Sequence, residues 1–134
     1  MAYTTEELKT RLYRYLASET DVSSRISGGI YKDRRPYGSN LEDIVINSLP
    51  ADARYLQTGV LNVNCYVPYM RTKAVEEKVI NGRRAGEIAK MLLPVLEDIW
   101  TEMFNTSVEY HNLIDDSDEC FYHFRIKLKA FNKQ

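Results

Sequence analysis

Residues 60–68 have the sequence Val60-Leu61-Asn62-Val63-Asn64-Cys65-Tyr66-Val67-Pro68, and no other part of the chain alternates so regularly. At a period of two, one side carries Leu61, Val63, Cys65 and Val67, and the other carries Asn62, Asn64 and Tyr66. One apolar side at this period is typical of a β-strand that buries one face. We therefore predict a central strand, ended by Pro68, which has no backbone N–H to donate to a neighbouring strand.

The composition limits the class of protein. The chain has 134 residues, of which 44% are hydrophobic and 28% charged, and its formal net charge is -1. These values predict a single folded, soluble domain over residues 1–134. They argue against a nucleic-acid binder, because domains of that class usually carry a strong basic excess.

Neither the cysteines nor the apolar runs indicate export or membrane insertion. Cys65 and Cys120 are too few for a disulfide framework, so we expect reduced thiols in a protein made in the cytoplasm. The longest apolar run, residues 91–96, is far shorter than the roughly 20 residues of a spanning helix, and the N-terminus has no apolar signal segment.

The first helix has a well-defined start. Thr4 and Glu7 form a capping box, and an apolar stripe at helical spacing follows it, made of Leu8, Leu12 and Leu16. We predict that the helix ends near Ser18, with its basic side chains, Lys9, Arg11 and Arg14, in water.

A polar arm, residues 32–40, follows a short strand at Ile30 and Tyr31 and precedes a second, buried strand at residues 43–47. Pro36 and Gly38 punctuate the arm, which predicts a surface loop. Such a loop is either simply solvated or docks on a partner, and Arg and Tyr are enriched at protein contacts. The interface candidates are Tyr31, Lys32, Arg34, Arg35 and Tyr37, and we expect folding not to depend on these side chains.

The second half of the chain predicts a loop, a helix and a hairpin. Residues 69–82 lack a clear pattern and are assigned to a loop with one helical turn. Apolar residues spaced three or four apart predict a helix over residues 83–103, with Trp100 in its apolar stripe and a kink at Pro94. Strands at 107–114 and 120–131 close the chain around an acidic turn at 115–119. This order predicts an α+β domain: a small, mostly antiparallel or mixed β-sheet with two main helices packed on one face.

No residue pattern indicates chemistry. Cys120 and His123 have a zinc-like spacing, with His111 nearby, but three positions along a strand place side chains on opposite faces. The turn 115–119 lacks the glycine and distal glutamate of a calcium loop. Residues 81–86 could bind an anion at a helix N-terminus, although they lack a phosphate-loop ending. We therefore expect no catalytic residue, cofactor or metal.

Taken together, the predicted elements resemble the tail-completion or tail-terminator proteins of long-tailed bacteriophages. The resemblance is carried by the capped helix, the sequence Gly29-Ile30-Tyr31, the Pro-containing arm, the strands at 43–47 and 60–67, the second helix and the closing hairpin. Residues 69–82 depart from it, because a shorter link is expected there.

The resemblance implies a structural protein of the virion that joins head to tail. Members of the family form rings, typically hexameric, that cap the tail tube. The partners would be copies of the chain itself, the tail-tube protein and the head–tail connector protein, without membrane or specific nucleic-acid binding. The protein would lie in the tail or neck of the virion after synthesis in the bacterial host cytoplasm, and the arm 32–40 would reach a neighbouring subunit or the adjoining ring.

Two alternatives remain open. The chain could be a small protein-binding adaptor encoded by a phage or a bacterium, or an unrecognised small enzyme whose residues come together only in space. Mass in solution distinguishes a ring subunit from both, because head-to-tail contacts close into rings of several subunits.

Overall fold

Strand β3 (Leu56–Tyr66) lies at the centre of the sheet, as the alternation predicts. The computed structural model describes residues 3–18, 20–49, 56–71, 78–97, 99–101 and 104–131. Within them, the main sheet has the strand order β1-β2-β3-β7-β6. Leu61, Val63 and Cys65 are buried on the side of β3 that the helices cover. The prediction of the central strand and of its buried face is confirmed.

The remaining elements follow along the chain. They are α1 (Thr5–Ser18), α2 (Thr20–Ser24), β1 (Ile30–Lys32), β2 (Ile44–Ser48), β4 (Met70–Arg71), β5 (Lys78–Val79), α3 (Gly82–Glu97), β6 (Phe104–Asp115) and β7 (Cys120–Phe131). Strand β1 runs parallel to β2, and the other pairs of the main sheet are antiparallel. The core is shared by α1, α3 and one face of this mixed sheet, so the α+β prediction is confirmed.

Helix α1 begins with the predicted capping box. The backbone N–H of Glu7 donates to Thr4 Oγ1 at 3.1 Å, and that of Thr4 donates to Glu7 Oε1 at 3.0 Å. Leu8, Leu12 and Leu16 are buried, and the helix ends at Ser18.

Lys9 does not face water, which corrects the sequence prediction. Its side chain is 2% exposed, and its ammonium group lies 2.7 Å from Glu6 and 2.6 Å from Asp33. Burial alone would lower the pKa of Lys9, but the hydrogen bonds to Asp33 and Glu6 raise it. This ion pair fixes the start of the arm to α1.

Helix α3 ends at Glu97, so the prediction that it continues to residue 103 is wrong. Pro94 lies inside the helix, as predicted. The helix stops because Thr106 Oγ1 donates to the carbonyl of Leu96 at 2.8 Å and accepts from the N–H of Ile99 at 3.1 Å. Residues 99–101 then pair along the outer edge of β6, where the N–H of Thr106 donates to the carbonyl of Ile99 at 3.1 Å. Met103 lies outside the described residues.

In the described part of residues 69–82, a two-stranded ribbon precedes α3, and no separate helical turn is present there. In this ribbon β4 pairs antiparallel with β5, with Met70 opposite Val79. At the end of this segment, Asn81 Oδ1 accepts from the N–H of Arg84 at 3.1 Å and so caps α3. Residues 72–77, which include Val75, lie outside the described residues.

The closing hairpin is confirmed, with β6 beginning three residues earlier than predicted. Its register is regular except for a bulge between Val108 and Tyr110. Because one residue is extra there, Glu109 stands at the edge beside Arg125, 3.5 Å from its Nε.

Candidate interaction surface at one end of the sheet

Three segments meet at the end of the sheet where β3 ends and β7 begins. They are the arm (residues 32–40), the β4–β5 ribbon and the hairpin tip (residues 115–119), and we call this region the arm end. Together they line an open concavity of about 350 Å³, formed by Arg35, Ser39, Asn40, Val67, Pro68, Tyr69, Arg71, Lys78, Asp118, Glu119 and Cys120. Most of these side chains are polar, whereas small-molecule pockets are mostly apolar. The geometry fits contact with a protein better than capture of a small ligand.

Arg35 points into the fold and not into solvent. Its guanidinium lies 4.1 Å from the centre of the Tyr66 ring and 3.2 Å from Glu119 of the hairpin tip. It also lies 3.5 Å from Asp43 and donates to the carbonyl of Leu41 at 3.2 Å. The side chain is only 16% exposed. These contacts hold the arm against the sheet, so we expect folding to depend on Arg35, contrary to the prediction from the sequence.

Asp43 is the buried centre of this clamp. Its carboxylate accepts from Ser39 Oγ at 2.5 Å and from the N–H of Gly29 at 3.0 Å, in addition to its ion pair with Arg35. Gly28 must be glycine here, because a Cβ atom would lie 2.0 Å from Asp43 Oδ1. Gly28 thus allows the segment before β1 to approach the residue that holds the arm.

The tip of the arm is a tight turn that presents Tyr37. The N–H of Ser39 donates to the carbonyl of Pro36 at 3.2 Å, and Gly38 has the positive φ of 74° that such a turn requires. Tyr37 is fully exposed, at 105% of its reference area. A large amphipathic side chain on a fixed turn loses little conformational freedom when it binds, which suits an interface anchor.

The other interface candidates occupy different environments. Arg34 is exposed beside Tyr37, and Lys32 is exposed but leans on α1, with its ammonium 3.4 Å from Thr10 Oγ1. Tyr31 is half-buried in β1. The structure therefore brings only Arg34 and Tyr37 together as outward-facing side chains.

The ribbon adds two apolar side chains that the sequence analysis missed. Met70 and Val79 face each other across the ribbon and are 46% and 37% exposed. The hydroxyl of Tyr69 hydrogen-bonds to Asp115, which raises the pKa of Tyr69 and lowers that of Asp115, so the ribbon is tied to the hairpin tip. Leu41, 45% exposed, completes the apolar surface at this end. In the sequence, these three side chains appear only as isolated apolar residues in segments without a clear pattern, which is a weak signal for an exposed apolar surface.

One large apolar side chain is exposed at the opposite end of the sheet, which we call the far end. Trp100 is 71% exposed and stands opposite Asn105 at the start of β6. The prediction that placed Trp100 in the apolar stripe of a helix is wrong, because the helix has already ended and neighbouring Ile99 takes the buried position. Ile99 and Trp100 are adjacent, and adjacent residues of an extended segment point to opposite sides. This was the sequence signal that one of the two would be exposed.

The residues that suggested metal or anion sites have other partners. His111 Nδ1 lies 2.6 Å from the hydroxyl of Tyr122, and His123 Nδ1 lies 2.6 Å from Asn64 Oδ1 on the other face of the sheet. Over the described residues, no group of three or more His, Cys, Asp or Glu side chains is arranged to hold a metal ion. Both cysteines are free and buried, and burial raises the pKa of Cys65 to about 12.

No helix in the described parts of the chain is long and apolar enough to cross a membrane. No protein-family model matches the sequence, and no curated protein matches it with significant similarity.

Proposed function

We propose that this chain is a structural subunit that assembles head to tail into a ring, in the manner of the phage tail-terminator proteins that its sequence resembles. One observation carries the proposal: the protein exposes large apolar side chains at both ends of its sheet, and the two ends are unlike. The arm end exposes Tyr37, Leu41, Met70 and Val79, and the far end exposes Trp100.

The separation of these surfaces determines the kind of assembly. Asn105, opposite Trp100, and Asp115, at the arm end, are ten positions apart on β6, which corresponds to about 30 Å of strand. A two-fold dimer joins the same surface of both subunits, whereas two different surfaces on one subunit join it to two neighbours. Such contacts generate a ring when the rotation between neighbours closes.

The arm end is built to keep its shape before assembly. Lys9 holds Asp33 at the start of the arm, and Arg35 holds the middle of the arm against Asp43 and Glu119. A surface that is already ordered loses less conformational entropy on binding, which favours affinity. The buried clamp and the exposed Tyr37 thus have separate roles in folding and in contact.

In a virion, the ring would cap the tail tube and join it to the head, with the tail-tube protein and the head–tail connector protein as partners. The role is structural and not enzymatic. An adaptor that docks one unrelated protein on the arm end would use the same residues, but it would need no second surface at Trp100.

Replacing both outward-facing arm residues, as Arg34→Ala/Tyr37→Ala, should block the joining of purified heads to tails. The free energy of unfolding should change by less than about 0.5 kcal/mol, because exposed side chains away from the core contribute little. An interface anchor, in contrast, typically costs 2 kcal/mol or more on truncation. Joining is counted as infectious particles after mixing heads, tails and protein.

The matched control is Arg14→Gln/Lys90→Gln, which changes two exposed residues of α1 and α3. It should support normal joining. Normal joining by the arm variant as well would remove the arm from the proposed contact.

A further inference from the structure

The face of the sheet opposite the helices carries a row of positive charge. On β7, the buried side chains of Phe124, Ile126 and Leu128 alternate with Arg125, Lys127 and Lys129, which face outward. Alternate residues of a strand are about 6.8 Å apart on one face. The three cations therefore form a line about 14 Å long across the centre of the sheet.

The described neighbours of this row leave most of its charge uncompensated. In the strand register, Lys127 lies between Val60 and Ser107, and Lys129 lies between Thr58 and Asn105. None of these four neighbours is charged. Among the described residues of the face, only Glu109 opposes the row, through its ion pair with Arg125. The chain as a whole has a formal net charge of -1, so this positive row is a local feature.

The rest of the outer face provides hydrogen-bonding groups and exposed rings. Asn62 and Asn64 lie beside the row on β3, opposite Arg125 and His123. The ring of Tyr110 lies 5.8 Å from the ring of His123 and 5.8 Å from the guanidinium of Arg125. Burial and the nearby Arg125 lower the pKa of His123, so the positive charge at neutral pH comes from Arg125 and the two lysines.

We propose that this outer face binds the phosphate backbone of a nucleic acid, without reading its sequence. Arg, Lys and Asn side chains are the usual donors to phosphate oxygens, and such contacts position a protein without selecting bases. Three cations in line can each meet a different phosphate of one strand. An acidic protein partner would also meet the charge, but a stable protein interface requires an apolar centre, and among the described side chains of this face the apolar ones beside the row are Val60 and Tyr110.

This inference goes beyond the ring proposal and does not depend on it. The ring contacts lie at the two ends of the sheet, whereas the basic row lies on its open face. The inference departs from the expectation that the composition gave, because a formal net charge of -1 for the whole chain does not describe the local charge of one face.

The test measures binding to a short fluorescein-labelled DNA duplex by anisotropy, over a series of salt concentrations. Wild type should bind at low salt, and Lys127→Gln/Lys129→Gln should bind at least about tenfold more weakly. The slope of log K against log salt should become less steep by about 1.8, because each lost phosphate contact removes about 0.9. Arg14→Gln/Lys90→Gln removes the same net charge from the helical side of the protein and should bind like wild type.

Lys127→Arg/Lys129→Arg keeps the charge and should bind at least as well as wild type, which separates a loss of contact from a loss of folding. If the double Gln variant fails to fold, the single Lys129→Gln variant, near the end of the strand, replaces it, and its slope should change by about 0.9. Three results would overturn the proposal: no binding of the duplex by wild type, equal weakening by both Gln variants, or binding of polyglutamate in place of the duplex. The last result would assign the row to an acidic protein.

Discussion

Val63→Asp should lower the free energy of unfolding by about 5 kcal/mol, which is most of the stability of a typical domain. Val63 is fully buried at the centre of the sheet, between Ile46 on β2 and Phe124 on β7. A carboxylate at this position would lie in the apolar core that the sheet shares with Ile88 and Leu92 of α3. Urea unfolding, followed by circular dichroism, measures the change.

Asn62→Asp is the matched control, because it introduces the same charge one residue earlier on the opposite face. Asn62 lies opposite Arg125, and its side-chain amide donates to Asn47 Oδ1 at 2.9 Å. The new carboxylate loses this hydrogen bond but gains a cation nearby, so the change in stability should stay below about 1 kcal/mol. Equal losses in the two variants would refute the assignment of the two faces of β3.

Arg35→Ala should destabilise the protein by about 3 kcal/mol, the second-largest effect that we expect. The change removes the ion pairs with Asp43 and Glu119 and the contact with the Tyr66 ring. Because Asp43 is 1% exposed, its carboxylate would remain buried without its cation, which is the costly way to break an ion pair. The urea midpoint of the variant, measured beside wild type, gives the loss.

Arg34→Ala is the control that distinguishes the clamp residue Arg35 from an exposed residue of the arm. Arg34 is exposed and adjacent, so its removal should change the stability by less than about 0.5 kcal/mol. If Arg35→Ala and Arg34→Ala unfold at the same urea concentration, Arg35 does not clamp the arm. Because loss of Arg35 is expected to destabilise the fold, the arm variant Arg34→Ala/Tyr37→Ala keeps Arg35.

Local patterns in the sequence were sufficient to predict much of the fold. The alternation of residues 60–67 located β3 and its buried face, and Thr4 with Glu7 located the start of α1, because each pattern acts through neighbours within one strand or one helical turn. The hairpin followed from the alternation of β7 and from the acidic turn before it.

The errors arose where a residue is fixed by a partner far along the chain. Lys9 is buried because Asp33 meets its charge, and Arg35 turns inward because Glu119, 84 residues later, and Asp43 meet it. Helix α3 ends early because Thr106 binds its last turn. The periodic pattern of neighbouring residues carries no information about these distant contacts.

The difference between local patterns and distant contacts also explains which part of the candidate surface could be predicted. The composition of the arm correctly indicated an exposed loop, with Arg34 and Tyr37 at its surface. Met70, Val79 and Leu41 belong to the same surface only because the ribbon and the arm both lie at one end of the sheet. Trp100 was assigned to the wrong element, so the second surface could not be recognised from the sequence.

Sedimentation analysis of two complementary variants tests the head-to-tail ring most directly. Arg34→Ala/Tyr37→Ala damages the arm end, and Trp100→Ala damages the far end. With increasing concentration, wild type should pass from monomer to one larger closed species, whereas each variant alone should stay monomeric. An equal mixture of the two variants retains one intact contact per pair, from the arm end of the Trp100→Ala chain to the far end of the arm variant. A head-to-tail ring predicts a species of two subunits in that mixture and none larger; a mixture that stays monomeric, or a wild-type protein that stops at a dimer, would contradict the ring.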